Sequence, residues 1–253
     1  MYARVTCLLA VAAGAVFLAG CSDSTGASND PQVRFNLATG AATPAVASSA
    51  SLAVAGAPVT YTDGAGNTLV IDQVELVLRE IELERVGETA CAVPASDSCE
   101  ELEIGPILLD LPLTPGAEGQ FTVPADTGSY GKVQFEIHKA SPSDDAAFVA
   151  AHPEFADRSI RVTGSYNGTA FTYLSDLDVE QELELSPPLV VGEGGSADLT
   201  LFVDVNTWFR SGAGDLIDPA TANKGETNEG VVKDNIQNAF NAFEDGDRDG
   251  AED

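Results

Sequence analysis

Three aspartates alternate near the C-terminal end of the sequence, Asp245, Asp247 and Asp249, and Gly250 follows directly. Calcium takes six to eight oxygen ligands at about 2.3–2.6 Å, and alternate carboxylates on a tight loop can converge on one such ion. The competing reading is a solvated acidic tail that binds nothing specifically. Other chemistry is sparse. Of the two histidines, His138 shares the polar face of an alternating run with Lys132, Gln134 and Glu136, and His152 precedes Pro153 in a loop; both are expected at the surface rather than as catalytic bases. The sequence has no Gly-x-Ser-x-Gly elbow, no phosphate-cradling glycine loop and no His-Glu-x-x-His helix. With 40 acidic residues, a glycosidase-type carboxylate pair has too many candidates to be named. The single tryptophan, Trp208, lies in Asn206–Arg210. Exposed, it would be a stacking platform for a sugar; buried, it would plug one end of a core.

The N-terminal residues carry a different chemistry. Met1–Arg4 holds one positive charge, and an apolar run from Val5 to Gly20 follows, interrupted by Thr6. This is the n-region and h-region of a secretory signal, short for a stable membrane span. The run ends Leu18-Ala19-Gly20-Cys21, which resembles the lipobox of bacterial lipoproteins. That resemblance implies a signal peptide over residues 1–20, diacylglycerol (palmitate-type) attachment to the Cys21 thiol and cleavage before it. Each buried methylene contributes about 0.8 kcal/mol, so two or more acyl chains make a stable membrane anchor. Ser22, a non-aspartate after the cysteine, implies sorting to the outer membrane. The Asp245–Gly250 segment resembles the Asp-x-Asp-x-Asp-Gly loop of EF-hands and short extracellular calcium repeats. It departs from the EF-hand in lacking a glutamate at the twelfth position, so other oxygens would have to complete the shell.

An exported chain meets an oxidising compartment. Besides Cys7, in the signal, and Cys21, the cysteines are Cys91 and Cys99, which bracket Ala92–Ser98. The short spacing predicts a disulfide between them; without a nearby histidine the pair is a poor zinc site. Lysine and arginine number 12, giving a net charge of −28. Such a chain repels nucleic acid and anionic headgroups, which removes both as partners, and suits divalent cations or a saline exterior.

The elements that must position these residues read as β structure. Residues 21–58 form an Ala/Ser/Thr/Gly-rich tether, with Val33–Leu37 as a short strand within it. Residues 59–210 carry alternating runs separated by turn signals. Leu69–Arg85 slips phase and predicts two strand segments joined by a bulge near Arg79-Glu80, although Ile71, Val74, Leu78 and Ile81 also fit a helical stripe. Ile160–Tyr173 predicts a hairpin turning at Asn167-Gly168, and Leu199–Val205 alternates most regularly. Residues 211–253 comprise a loop, a helix over Val231–Phe243 and the acidic tail. The expected class is all-β: an antiparallel β-sandwich of roughly eight strands with a short C-terminal helix.

Three segments carry a looser resemblance: Ile107–Leu111, the Gly128-Ser129-Tyr130 turn into Val133–Phe135, and Val203-Asp204. Together they resemble an uncharacterised class of bacterial lipoproteins with a transthyretin-like or carbohydrate-binding-like sandwich. The resemblance implies fold and location and no activity. The expectation is a lipid-anchored envelope module without catalytic activity, binding calcium and a glycan or an envelope protein. The alternative is an envelope carboxylate-based hydrolase.

Overall fold

A computed structural model describes residues 31–40, 58–87, 105–252 and the backbone of 99–102. In chain order its strands are β1 (Gln32–Thr39), β2 (Val59–Thr62), β3 (Thr68–Arg85), β4 (Cys99–Leu102), β5 (Ile107–Asp110) and β6 (Glu118–Pro124). They continue with β7 (Gly128–Ile137), β8 (Ile160–Tyr166), β9 (Thr169–Ser175), β10 (Val179–Val191), β11 (Ser196–Val203) and β12 (Phe240–Glu244). Three short helices, α1 (Ala146–Ala151), α2 (Val205–Trp208) and α3 (Glu229–Gln237), lie in the connections.

The strands form two sheets. One has the order β12-β11-β1-β6; the other has β10-β7-β3-β8-β9, with β2, β4 and β5 also pairing with β3. Phe35 and Leu37 from β1 and Leu199 and Leu201 from β11 meet Leu78, Ile81, Val133 and Phe135 of the opposite sheet around an apolar void of about 20 Å³. The space between the sheets is therefore a packed core rather than a ligand cavity, as close packing requires. The fold is an all-β sandwich with the expected short C-terminal helix.

Strand β3 organises the larger sheet. Its phase slip is a bulge: the register against β7 shifts between Arg79 and Ile81, and Glu80 takes a φ of +50°. An extra residue there lets Leu76 and Leu78 on one side and Ile81 and Leu83 on the other all reach the core. The helical reading of the same residues gives way to strand pairing along the whole of Thr68–Arg85. The β8–β9 hairpin turns at Asn167 and Gly168, both with positive φ, as a two-residue turn demands.

Two elements depart from the sequence expectation. Strand β1, within the segment assigned to the tether, lies between β11 and β6, parallel to the first and antiparallel to the second. The sheet is thus mixed, and the sandwich draws on residues before 59. At the other end, the helix expected over Val231–Phe243 stops at Gln237, and Phe240–Glu244 becomes β12, antiparallel to β11. Unpaired N–H and C=O groups on a β11 edge would otherwise need partners. As a strand, the segment also places Phe240 5.6 Å from the Phe135 ring.

Candidate functional site

The acidic loop begins where β12 ends. Asp245 is completely buried, anchored by its own amide to the Asp198 carbonyl. Its Oδ2 accepts hydrogen bonds from the Thr200 hydroxyl and the Gly250 amide, each at 3.1 Å. Its Oδ1 accepts the Asp249 amide at 3.1 Å, which Asp247 Oδ1 also accepts at 3.2 Å. Arg248 at φ +59° and Gly250 at φ +85° make the loop's tight bend, and Arg248 Nε donates to Asp198 Oδ1 at 3.0 Å, tying the loop to β11. One carboxylate oxygen from each of Asp245, Asp247 and Asp249 lies within 4.8 Å of the others. Oxygens on opposite sides of a calcium ion stand about 4.6–5.2 Å apart, so this spread is compatible with one shared ion.

A second cluster was not visible in the sequence. Glu136 in β7 and His138, the residue just after its end, lie two residues apart on one face, and Asp178 immediately precedes β10, whose Val179 pairs with Ile137. His138 is 5% exposed, not the surface residue its strand face predicts. The reason is the connection after β7, which folds back and lays Asp145 over the ring. His138 Nε2 lies 2.7 Å from Asp145 Oδ2, which also accepts the Ser141 amide at 2.7 Å. Burial pushes the Asp145 carboxyl up, but the His138 and Ser141 hydrogen bonds outweigh it and hold the group below its ordinary value. The other ring nitrogen, Nδ1, is buried without a hydrogen-bond partner. It faces Glu136 Oε1 at 3.5 Å and Asp178 Oδ1 at 3.8 Å. Arg79 grips the far oxygen of Glu136, Oε2, at 2.7 Å.

The remaining expected site residues separate. Trp208 is 0% exposed at the end of α2, with the Asn235 side chain donating to its carbonyl at 3.0 Å. It offers no face to a sugar and acts as the plug of the sandwich end, beside Phe209, whose ring meets Tyr173 edge-on at 5.2 Å. Cys21 and Cys91 lie outside the described residues, and Cys99 is described only as the first backbone position of β4. For the hydrolase alternative, burial pushes the Glu75 carboxyl up, opposed by Arg161. Glu75 pairs with Arg161 Nε at 3.2 Å, and the carboxylates of Asp110, its cross-strand partner on β5, and Glu154 push it up further.

No protein-family model and no curated protein matches the chain. Among solved structures it is similar to MbnP from Methylosinus trichosporium, at 11% identity and a TM-score of 0.41, over 85% of this chain and 98% of that one.

Proposed function

We propose that the protein is a lipid-anchored, non-catalytic binding or structural module of the bacterial cell envelope whose C-terminal loop binds calcium. The observation that carries the calcium reading is the convergence of Asp245, Asp247 and Asp249 within 4.8 Å on a loop already closed by its own amides. Preformed hydrogen bonds from Asp249 and Gly250 to Asp245 reduce the ordering that an ion must impose. An oxygen-only donor set suits a hard cation. With two exposed carboxylates set against a buried one, a bound ion would sit at the surface, where water can fill the remaining positions. The affinity expected of such an extracellular loop is about 10⁻⁴–10⁻³ M.

The anchor reading rests on the Leu18–Cys21 lipobox resemblance, and the non-catalytic reading on the filled core between the sheets and on the sequence's missing Gly-x-Ser-x-Gly, phosphate-loop and His-Glu-x-x-His motifs. Isothermal titration with calcium should show one equivalent bound by the wild type. The double variant Asp247→Asn, Asp249→Asn, which leaves the buried Asp245 untouched, should lose it. Equal uptake by both proteins would eliminate the site. In cells, Cys21→Ser should leave an unprocessed precursor without palmitate label; normal labelling and maturation of that variant would remove the anchor.

A further inference from the structure

We propose that Glu136, His138 and Asp178 form a binding site for a divalent transition-metal ion that accepts imidazole and carboxylate together, zinc being its representative. The argument starts from the ring of His138. Asp145 Oδ2, which also accepts the Ser141 amide, lies 2.7 Å from Nε2 and accepts the ring proton there. In the neutral ring Nδ1 then carries a lone pair. That lone pair is buried, has no hydrogen-bond donor, and lies 3.5 and 3.8 Å from two carboxylate oxygens. Three electron-pair donors within 4.8 Å of one another repel unless a cation lies between them.

The distances discriminate between the two cations that could do so. If Nδ1 carried a proton as well, the charge-assisted hydrogen bond to a carboxylate would close to about 2.7–2.9 Å. The observed separations are 3.5 and 3.8 Å. Ligand atoms bound to zinc at about 2.0–2.2 Å in a tetrahedral shell stand about 3.4 Å from each other, close to the two separations from Nδ1. The surrounding contacts match a metal site in two further respects. Asp145 supplies the carboxylate that a ligating histidine characteristically holds with its other nitrogen, fixing tautomer and ring orientation. Arg79 and the Lys139 amide engage Glu136 Oε2 and Asp178 Oδ1, at 2.7 and 2.9 Å. These contacts orient both carboxylates and leave Glu136 Oε1 turned to the histidine. Glu136 and Asp178 also line a solvent-open cleft of about 340 Å³, so water can complete a fourth position, as at zinc sites with three protein ligands.

The test uses the full mature chain in detergent, in excess calcium to saturate the C-terminal loop, titrated with zinc and, for its visible absorption, cobalt(II). One equivalent of zinc should bind, and cobalt should give the d–d bands of a low-coordinate nitrogen/oxygen site. Asp178→Asn, on a half-exposed side chain, should weaken zinc at least 10-fold, and His138→Gln should abolish the cobalt spectrum. Asp145→Asn, a positioning change, should cost about 10–100-fold in affinity. Circular dichroism distinguishes these losses from unfolding. Nitrogen-15 spectra of the His138 ring should show a neutral Nε2–H tautomer before metal and a shift confined to Nδ1 on zinc addition. An imidazolium signal at neutral pH, absence of saturable zinc, or identical zinc binding by folded wild type and Asp178→Asn would overturn the proposal.

Discussion

Asp63 shows how much a single side chain organises here. Its Oδ1 accepts the amides of Ala65 and Asn67, and its Oδ2 accepts the Asn67 side-chain amide at 2.8 Å and the Leu216 amide at 3.0 Å. One carboxylate therefore closes the β2–β3 turn and pins to it the loop that follows α2. The Asn67 side chain, with the backbone amides, pulls its pKa from the ordinary 3.8 down to about 2, against a smaller opposing effect of desolvation. A depressed folded-state pKa means a stabilising contribution that is complete above the unfolded value and is lost as pH falls through about 2. Carbon-13 titration of the Asp63 carboxyl should give a midpoint near 2, and Asn67→Ala should move it up toward 3.8. An unchanged midpoint in that variant would refute the assignment of cause. Sequence pattern does not show the Leu216 contact, because Leu216 is distant in the chain. The same limit hid the proposed metal cluster: Glu136 and His138 are close in sequence at the end of β7, but Asp178 and Asp145 reach them only through the folded connections. Trp208 was ambiguous for a related reason. Strand β11 ends at Val203 and α2 begins at Val205, so the two-residue phase that would assign its side is reset.

At the level of elements, local chemistry was legible and long-range pairing was not. The Asn167-Gly168 turn and the Arg79-Glu80 bulge announce themselves because each is written in consecutive residues. The alternating aspartates of Asp245–Gly250 are legible for the same reason. The place of β1 was hidden: Val33–Leu37 reads as an isolated strand in a polar, alanine-rich stretch, and its partners β11 and β6 lie far along the chain. Likewise Val232 and Ile236 extend a helical period into Phe240 by coincidence of spacing, and β11 decides that Phe240–Glu244 is a strand. The position of β1 makes a prediction about where the folding unit starts. It is an interior strand of its sheet, with Val33 fully buried and Phe35 stacked on Phe121 at 5.0 Å. A soluble form beginning at residue 59 removes that strand and separates β11 from β6. It should be recovered aggregated or molten, with weak near-ultraviolet circular dichroism and no cooperative urea transition. A form beginning at Ser22 should unfold cooperatively. Equal cooperativity in the two would show that β1 is dispensable.

The whole molecule is an acidic body, 40 acidic against 12 basic residues, and this charge sets how it should respond to ions. Uniform self-repulsion destabilises the compact state and is relieved by any salt, since the Debye length falls from about 8 Å at 0.15 M to about 3 Å at 1 M. Sodium chloride should therefore raise the thermal midpoint gradually and without saturation at low millimolar levels. Calcium bound at Asp245, Asp247 and Asp249 should act differently, because a ligand that binds only the folded state stabilises it by RT ln(1 + [L]/Kd), about 2.7 kcal/mol when the ligand is 100 times above Kd. For a chain of this size that corresponds to about 5–11 °C. At the affinity expected of the loop, 10 mM calcium at most reaches that regime, while sodium chloride of matched ionic strength supplies only the screening part. The difference between the two salts isolates site binding. It should vanish in Asp247→Asn, Asp249→Asn, whose response to sodium chloride should stay close to that of the wild type because two of so many carboxylates barely change the field. If calcium and matched sodium chloride raise the wild-type midpoint equally, the ion acts only through the general field of the molecule, and the loop is an acidic terminus without a site.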